Sequence, residues 1–182
     1  MPHVAVTAVG SDRPGIVAAV TGVFVEHGCN IEDSSMTILR GQFAMMLVVD
    51  APPDVGAADL EAALAGPAAD LDLVVAVRPL PAVDDGGGGG GLGDDRWTVS
   101  VYGADRPGIV HGVASLLADQ GVNIVDLSTR MIGSPEQPVY AMVLEVELPA
   151  GVDPNALGDR LAEVAAGLGV EASLHPSDAD IL

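Results

Sequence analysis

The sequence predicts an α+β fold made of two tandem modules, each with the element order βαββαβ. Residues 10 to 17 read GSDRPGIV and residues 103 to 110 read GADRPGIV, so one eight-residue string recurs at an offset of 93. Each copy follows an alternating apolar run, typical of a strand, and precedes apolar positions spaced as on a helix. The chain therefore contains two copies of one structural unit.

The repeat extends beyond this string. The offset of 93 also matches Gly28, Asn30, Ile31 and Asp33 to Gly121, Asn123, Ile124 and Asp126. After residue 40 the offset becomes 97, as in the match of Phe43 to Tyr140. An insertion around residues 133 to 138 explains the change, because loops tolerate insertions. We expect one module over residues 1 to 78 and a second over residues 96 to 182.

A segment of low complexity separates the two modules. Residues 79 to 95 contain six consecutive glycines, Gly86 to Gly91, flanked by prolines and aspartates. This composition predicts a flexible linker. A phosphate-binding glycine loop is disfavoured, because no Lys-Ser or Lys-Thr pair follows the glycines.

The first strand and helix of each module follow from apolar spacing. At residues 4 to 8, and at the corresponding residues of the second module, every second position is apolar. This spacing predicts a strand with one buried face. From Ile16, apolar residues recur at i, i+4, i+7 and i+8. This spacing predicts a helix over residues 13 to 27 that Gly28 ends, with Gly121 ending its copy.

The remaining elements complete the βαββαβ order. Residues 30 to 50 predict two antiparallel strands that turn near Arg40, and in the second module this turn lengthens. Apolar spacing predicts a second helix, marked by Leu60 and Leu64 in one copy and by Leu157 and Leu161 in the other. Final strands follow at about residues 72 to 78 and 170 to 175. Such a module is a ferredoxin-like sandwich, in which an antiparallel four-stranded sheet carries both helices on one face. We expect its second strand to lie at a sheet edge.

Charge and composition narrow the functional classes. The net charge is −19, and all seven basic residues are arginines scattered along the chain. Because nucleic-acid affinity comes largely from cations that neutralise phosphates, direct DNA or RNA binding is disfavoured, and so is binding to an anionic membrane. The sequence contains no apolar run long enough to cross a bilayer, and we expect a cytoplasmic protein.

The cysteine and histidines do not indicate catalysis. Cys29 is the sole cysteine and its counterpart is Val122, which favours a small buried residue over a nucleophile. The four histidines show no metal-ligand spacing and occupy no corresponding repeat positions; they are His3, His27, His111 and His175. We expect no enzyme activity, no metal and no cofactor, although sites assembled across modules stay open.

The loop between the first strand and the first helix is the candidate binding site. Asp12 and Asp105 are predicted to cap the helices, each followed by proline in the first turn. A helix N-terminus attracts carboxylates, because unpaired N–H groups and the helix dipole both point at the ligand. The alternative is a well-built helix start whose caps satisfy those groups. Asn30 and Asn123 can likewise bind a ligand or satisfy their own turn.

These residues resemble a known family. Asp-Arg-Pro-Gly-Ile-Val followed by Gly-Cys-Asn-Ile or Gly-Val-Asn-Ile resembles the ACT domain, a small ligand-sensing module, over both halves of the chain. Tandem copies without an attached enzyme are most similar to the glycine cleavage system transcriptional repressor group. The resemblance implies that small amino acids, such as glycine or serine, bind where ACT modules meet. The residues it implies are Asp12, Arg13, Pro14, Gly15, Ile16, Asn30 and Ile31, and Asp105, Arg106, Pro107, Gly108, Ile109, Asn123 and Ile124.

The resemblance also implies a function. It indicates an amino-acid-sensing regulator of glycine and one-carbon metabolism that acts through protein contacts, with a transcription factor or a metabolic enzyme as partner. Two alternatives stay open: a ligand-independent interaction module, and a regulatory subunit of an amino-acid metabolic enzyme. Because open sheet edges can pair with another copy of the chain, a homodimer also stays open.

The acidic composition of the chain leads to a prediction about DNA binding. The purified chain should pass through a column of immobilised duplex DNA at physiological salt, because its acidic surface repels phosphates. Retention under those conditions would contradict the exclusion of direct DNA binding.

Overall fold

The computed structural model describes residues 3–81, 96–134 and 136–177, without the side chain of residue 137. Most of the predicted linker, residues 82–95, lies outside the described residues. By its internal contacts the chain splits into two compact units, Met1–Gly89 and Gly90–Leu182. We call them the first and second modules and describe each by itself.

The first module is one antiparallel sheet with two helices. Its elements are β1 (His3–Ser11), α1 (Ile16–Glu26), β2 (Asn30–Leu39), β3 (Gln42–Asp50), α2 (Ala57–Leu71) and β4 (Leu73–Pro79). The strand order is β2-β3-β1-β4, and every neighbouring pair is antiparallel. The order confirms the predicted ferredoxin-like topology and places the second strand at a sheet edge.

The second module repeats this architecture. Its elements are β5 (Arg96–Gly103), α3 (Ile109–Asp119), β6 (Asn123–Ser134), β7 (Gln137–Glu147), α4 (Pro154–Leu168) and β8 (Val170–Pro176), in the strand order β6-β7-β5-β8. The prediction that the insertion lengthens the turn was wrong: the insertion extends both strands, because β6 has 12 residues where β2 has 10 and β7 has 11 where β3 has 9. Gly133 pairs with Pro138, so these residues continue the ladder. Within the described residues, no helix is both long and apolar enough to span a membrane.

Each module has its own core between the sheet and its helices. Side chains alternate across a strand, so β1 buries Val4, Val6 and Ala8 on one face. The apolar stripe predicted for α1 packs on that face, and Leu60 and Leu64 add the stripe of α2. The equivalent residues of α3 and α4 form the second core.

The predicted helix ends at Gly28 and Gly121 are confirmed. Gly28 has φ 67°, its N–H donates to Val25 O at 3.1 Å, and the next N–H, of Cys29, donates to Phe24 O at 2.9 Å. This Schellman pairing satisfies carbonyls that a helix end otherwise leaves unpaired. Gly121 closes α3 with the same two bonds. Both glycines therefore set where the next strand begins.

A close approach of backbones fixes the end of β1. A Cβ atom at Gly10 would lie 2.6 Å from Asp72 O and 2.7 Å from Leu73 Cδ2. The counterpart in the second module is Gly103, where a Cβ would lie 2.8 Å from Val170 Cγ1. Only glycine lets the strand that leads into the first helix pack this tightly.

Two alanine substitutions should therefore have opposite effects. Gly10→Ala should lower the free energy of unfolding of the first module by about 1–3 kcal/mol, because the methyl group overlaps backbone that cannot easily move. Gly22→Ala is the matched control: a Cβ there meets nothing within 4 Å, and alanine should stabilise α1 by about 0.5–1 kcal/mol. Denaturant unfolding measures both, and a stabilising Gly10→Ala would contradict the packing described.

Candidate functional site

The corner that joins the first strand to the first helix, residues 12–15 and residues 105–108, is built around a left-handed glycine. Gly15 (φ 96°) and Gly108 (φ 94°) each precede the first helical residue. The predicted aspartate caps were wrong: α1 begins at Ile16 rather than at residue 13, and no side chain caps either helix. Glycine adopts this conformation at little cost, so the chain enters the helix without a side-chain cap.

The corner consequently leaves the first helix N–H groups without a side-chain cap. The first N–H groups of a helix have no partner within it, and the helix dipole places partial positive charge there. Asp12 does not cap the helix; its backbone N–H donates to Gly41 O at 2.8 Å and ties the corner to the β2–β3 turn. Residues 12–15 are exposed, whereas Ile16 is 2% exposed and anchors the corner in the core.

A cleft of about 490 Å³ opens beside this corner in the first module. Its lining residues are Asp12, Arg13, Pro14, Gly15, Ile16, Val17, Ala18, Met36 and Phe43. Five of these are sequence-predicted site residues, in one continuous run from Asp12 to Ile16. No sequence motif pointed to Met36 and Phe43, which come from β2 and β3. Phe43 pairs with both Gly10 and Ile38, and only this long-range register brings it to the cleft.

The polar groups of the cleft suit a zwitterion. Among the described residues, neither the Asp12 carboxylate nor the Arg13 guanidinium forms an ion pair with another side chain. Both are exposed at the mouth of the cleft. The cleft thus offers a cation and helix N–H groups for a carboxylate, an anion for an ammonium group, and an apolar wall.

Asn30 and Ile31 lie far from this corner within the first module. Asn30 pairs with Asp50, and Asp50 pairs with His3 on β1. Asn30 is therefore level with the start of β1, whereas Asp12 follows its end. The strand has nine residues, and its ends are about 26 Å apart at the usual rise. One amino acid cannot touch both groups of a single module.

The second module shows the same separation for Asn123 and Ile124. Asn123 pairs with Glu147, which pairs with Arg96 at the start of β5. Asn123 Nδ2 donates to Glu147 Oε2 at 3.4 Å, and an Arg96 nitrogen lies 4.0 Å from Glu147 Oε1. The asparagine here takes part in a local polar cluster, as the alternative interpretation of these residues predicts.

The side chains beside the corner of the second module differ from those in the first module. Thr129 and Tyr140 occupy the positions of Met36 and Phe43, since Thr129 pairs with Met142 as Met36 pairs with Met45. Burial of the Tyr140 phenol, and then the nearby Asp105 carboxylate, raise its pKa above the ordinary value, while a hydrogen bond from Thr129 opposes the shift. Polar groups therefore face this corner where the first module has apolar ones.

Cys29 is a half-buried residue packed against the first core, as its apolar counterpart predicts. Burial, and then the nearby Asp50 carboxylate, raise the pKa of its thiol. A raised pKa disfavours the thiolate, which is the nucleophilic form. In the described parts of the chain, no three His, Cys, Asp or Glu side chains are grouped so as to hold a metal ion.

The Tyr140 environment gives a spectroscopic prediction. In a Tyr102→Phe background, absorbance titration should show Tyr140 ionising above the ordinary pKa of tyrosine. Asp105→Asn should lower that pKa, because the negative charge that disfavours the phenolate is removed, without restoring the ordinary value, because burial persists. Asp119→Asn, a change on α3 outside this corner, is the control. A Tyr140 pKa indifferent to Asp105→Asn would contradict the proximity of the two groups.

Comparisons with known proteins agree with this architecture. Sequence patterns of the ACT domain match residues 3–78 and, separately, residues 97–157. The chain is 25% identical over 185 residues to the glycine cleavage system transcriptional repressor of Escherichia coli strain K12, covering 95% of this chain and 89% of that protein. It is 45% identical over 78 residues to a UPF0237 protein of Methanopyrus kandleri, covering 41% of this chain and 87% of that protein.

A solved structure supports the fold over nearly the whole chain. The crystal structure of a protein from Galdieria sulphuraria matches with a TM-score of 0.79 at 26% identity, covering 97% of this chain and 99% of that one. With two antiparallel βαββαβ modules in the structure and a family match in each, the chain belongs to the ACT-domain family, carries two ACT domains in tandem, and is homologous to a glycine cleavage system transcriptional repressor.

Proposed function

We propose that this protein is an amino-acid-sensing regulator of glycine and one-carbon metabolism that acts through protein contacts. The observation that carries the proposal is the uncapped, glycine-turned corner, which recurs in both modules and opens onto a cleft in the first. Full-length similarity to a protein named as a transcriptional repressor of the glycine cleavage system supports the regulatory role.

The corner of the first module supplies a binding group for each part of an amino acid. The ligand carboxylate accepts from the N–H groups at the start of α1 and pairs with Arg13, because both present positive charge. The ligand ammonium pairs with Asp12. The ligand side chain enters the cleft towards Met36 and Phe43. Asn30 takes no part in this contact within the module.

The corner of the second module is a second candidate site for binding a carboxylate. Asp105, Arg106, Pro107 and Gly108 are exposed, and Ile109 anchors the start of α3 at 2% exposure. The helix start again has no side-chain cap. A carboxylate can therefore bind there through the same backbone groups.

The edge strand can transmit the effect of ligand binding to a partner protein. The cleft is lined from both α1 and β2, so a bound amino acid links a helix start to the exposed edge of the sheet. Regulation then requires that the ligand bind one arrangement of these elements more tightly than another, a difference of about 1–3 kcal/mol in typical allosteric proteins. The −19 net charge favours a protein surface over DNA as the target.

One observation favours a second candidate, a ligand-independent interaction module. The edge strands expose apolar side chains, including Ile38, Leu39, Met131 and Ile132, and Leu39 is 69% exposed. Exposed edge strands can pair with a strand of another protein, and exposed apolar groups favour such contacts. This function needs no ligand at the corner.

Calorimetry of the full chain against the twenty amino acids tests the sensor. At least one should bind at millimolar concentration or tighter, and Arg13→Ala should weaken it about tenfold or more, because a charge-assisted hydrogen bond is lost. Arg78→Ala, which removes an exposed arginine of β4 outside the cleft lining, should leave the affinity unchanged. Absence of any binder would remove the sensor and leave the interaction module.

A further inference from the structure

We propose that the cleft of the first module selects an amino acid with an apolar side chain, and that Met36 determines this selectivity. The inference rests on the proposed function and goes beyond it by naming the class of ligand. Glycine and serine, the amino acids that the family resemblance suggests, are disfavoured at this site.

The shape and chemistry of the cleft wall carry the inference. Phe43 is 1% exposed and forms the floor, whereas Met36 is 50% exposed and stands at the side. Met36 pairs with Met45, which is buried against the helices, so Met36 lies on the helix-facing side of the sheet. An aliphatic or thioether side chain placed here removes apolar surface of Met36 from water, which favours binding, whereas glycine has no side chain to make this contact.

The size of the cleft supports the same class. Its volume of about 490 Å³ lies within the range of about 300–1,000 Å³ usual for small-molecule sites, which are largely apolar with a few orienting polar groups. Here the charged side chains belong to two neighbouring residues, Asp12 and Arg13, and the other lining side chains are apolar. A ligand with charged groups at one end and an apolar side chain at the other matches that division.

The second module does not share this preference. Its counterparts Thr129 and Tyr140 carry hydroxyl groups, and the Tyr140 hydroxyl also donates to Met142 Sδ at 3.9 Å. An apolar ligand side chain against these hydroxyls would bury them and limit their hydrogen bonding, which is costly. The two corners therefore have the same backbone conformation but favour ligands with different side chains.

The arginines of the two corners also differ in position. Arg13 lines the cleft. The guanidinium of Arg106 instead lies against Gly169, the C-cap residue of α4, where a Cβ would be 2.9 Å from Arg106 Cζ. Carbonyls at a helix C-terminus attract a cation. In the first module the equivalent position is Asp72. Among the described residues Arg13 forms no ion pair with another side chain, so its guanidinium is available to a ligand carboxylate.

The test is calorimetry of the full chain with L-leucine, L-methionine, glycine and L-serine as probes. Leucine or methionine should bind at least about tenfold more tightly than glycine and serine, because each buried methylene changes affinity by about 10- to 200-fold. Met36→Thr should reduce that preference about tenfold, and Met36→Leu should keep it. Because Met36 is half-exposed, these changes leave the core intact.

Two control variants separate the cleft from other surfaces. Met46→Thr changes a methionine of similar exposure, 54%, that lies on β3 outside the cleft lining, and it should leave the preference unchanged. Thr129→Met should also leave the tight binding of leucine or methionine intact. A preference that survives Met36→Thr, or one that is lost in Met46→Thr, would overturn the assignment.

The remaining outcomes distinguish this inference from the proposed function. If glycine or serine binds as tightly as leucine and methionine, apolar selectivity is wrong while the sensor stands. If none of the twenty amino acids binds, the sensor itself is wrong and the selectivity falls with it.

Discussion

A left-handed glycine in front of the first helix is the constraint on which the candidate site of each module depends. Gly15 and Gly108 adopt φ values near 95°, which turn the chain into the helix without a side-chain cap. Packing holds this corner in place: Gly10 lies against the start of β4, and Ile16 is buried in the core. The N–H groups at the helix start are thus free of side-chain caps in a corner that packing holds in place, an arrangement that favours binding of a carboxylate.

Duplication has preserved this frame and changed what surrounds it. The backbone corner, the Schellman helix ends and the strand order recur in both modules. The cleft wall changes from Met36 to Thr129, and the arginine that lines the first cleft has a counterpart that lies against the end of α4. Each module has its own core. One corner can therefore bind a ligand while the side chains around the other corner change.

Patterns of neighbouring residues predicted most of the fold. Pairing between distant strands determines which residues line the candidate site. Gly28 and Gly121 were recognisable as helix ends because the Schellman motif involves neighbouring residues. The sequence also fits an aspartate cap at residue 12, and only the backbone angles of Gly15 show that the helix starts later. Met36 and Asn30 lie six residues apart on one strand, yet strand register places one at the cleft and the other at the opposite end of the sheet. No local pattern contains that information.

The proposed sensor depends on binding of an amino-acid carboxylate by the uncapped N–H groups at the start of α1. Backbone amide chemical shifts, measured by NMR while the full chain is titrated with L-leucine, report on these groups one by one. We expect the largest shifts at Ile16, Val17 and Ala18, with smaller shifts at Met36 and Phe43. Saturable shifts centred on Asn30 and Asp50, with the amides of residues 16–18 unmoved, would contradict it.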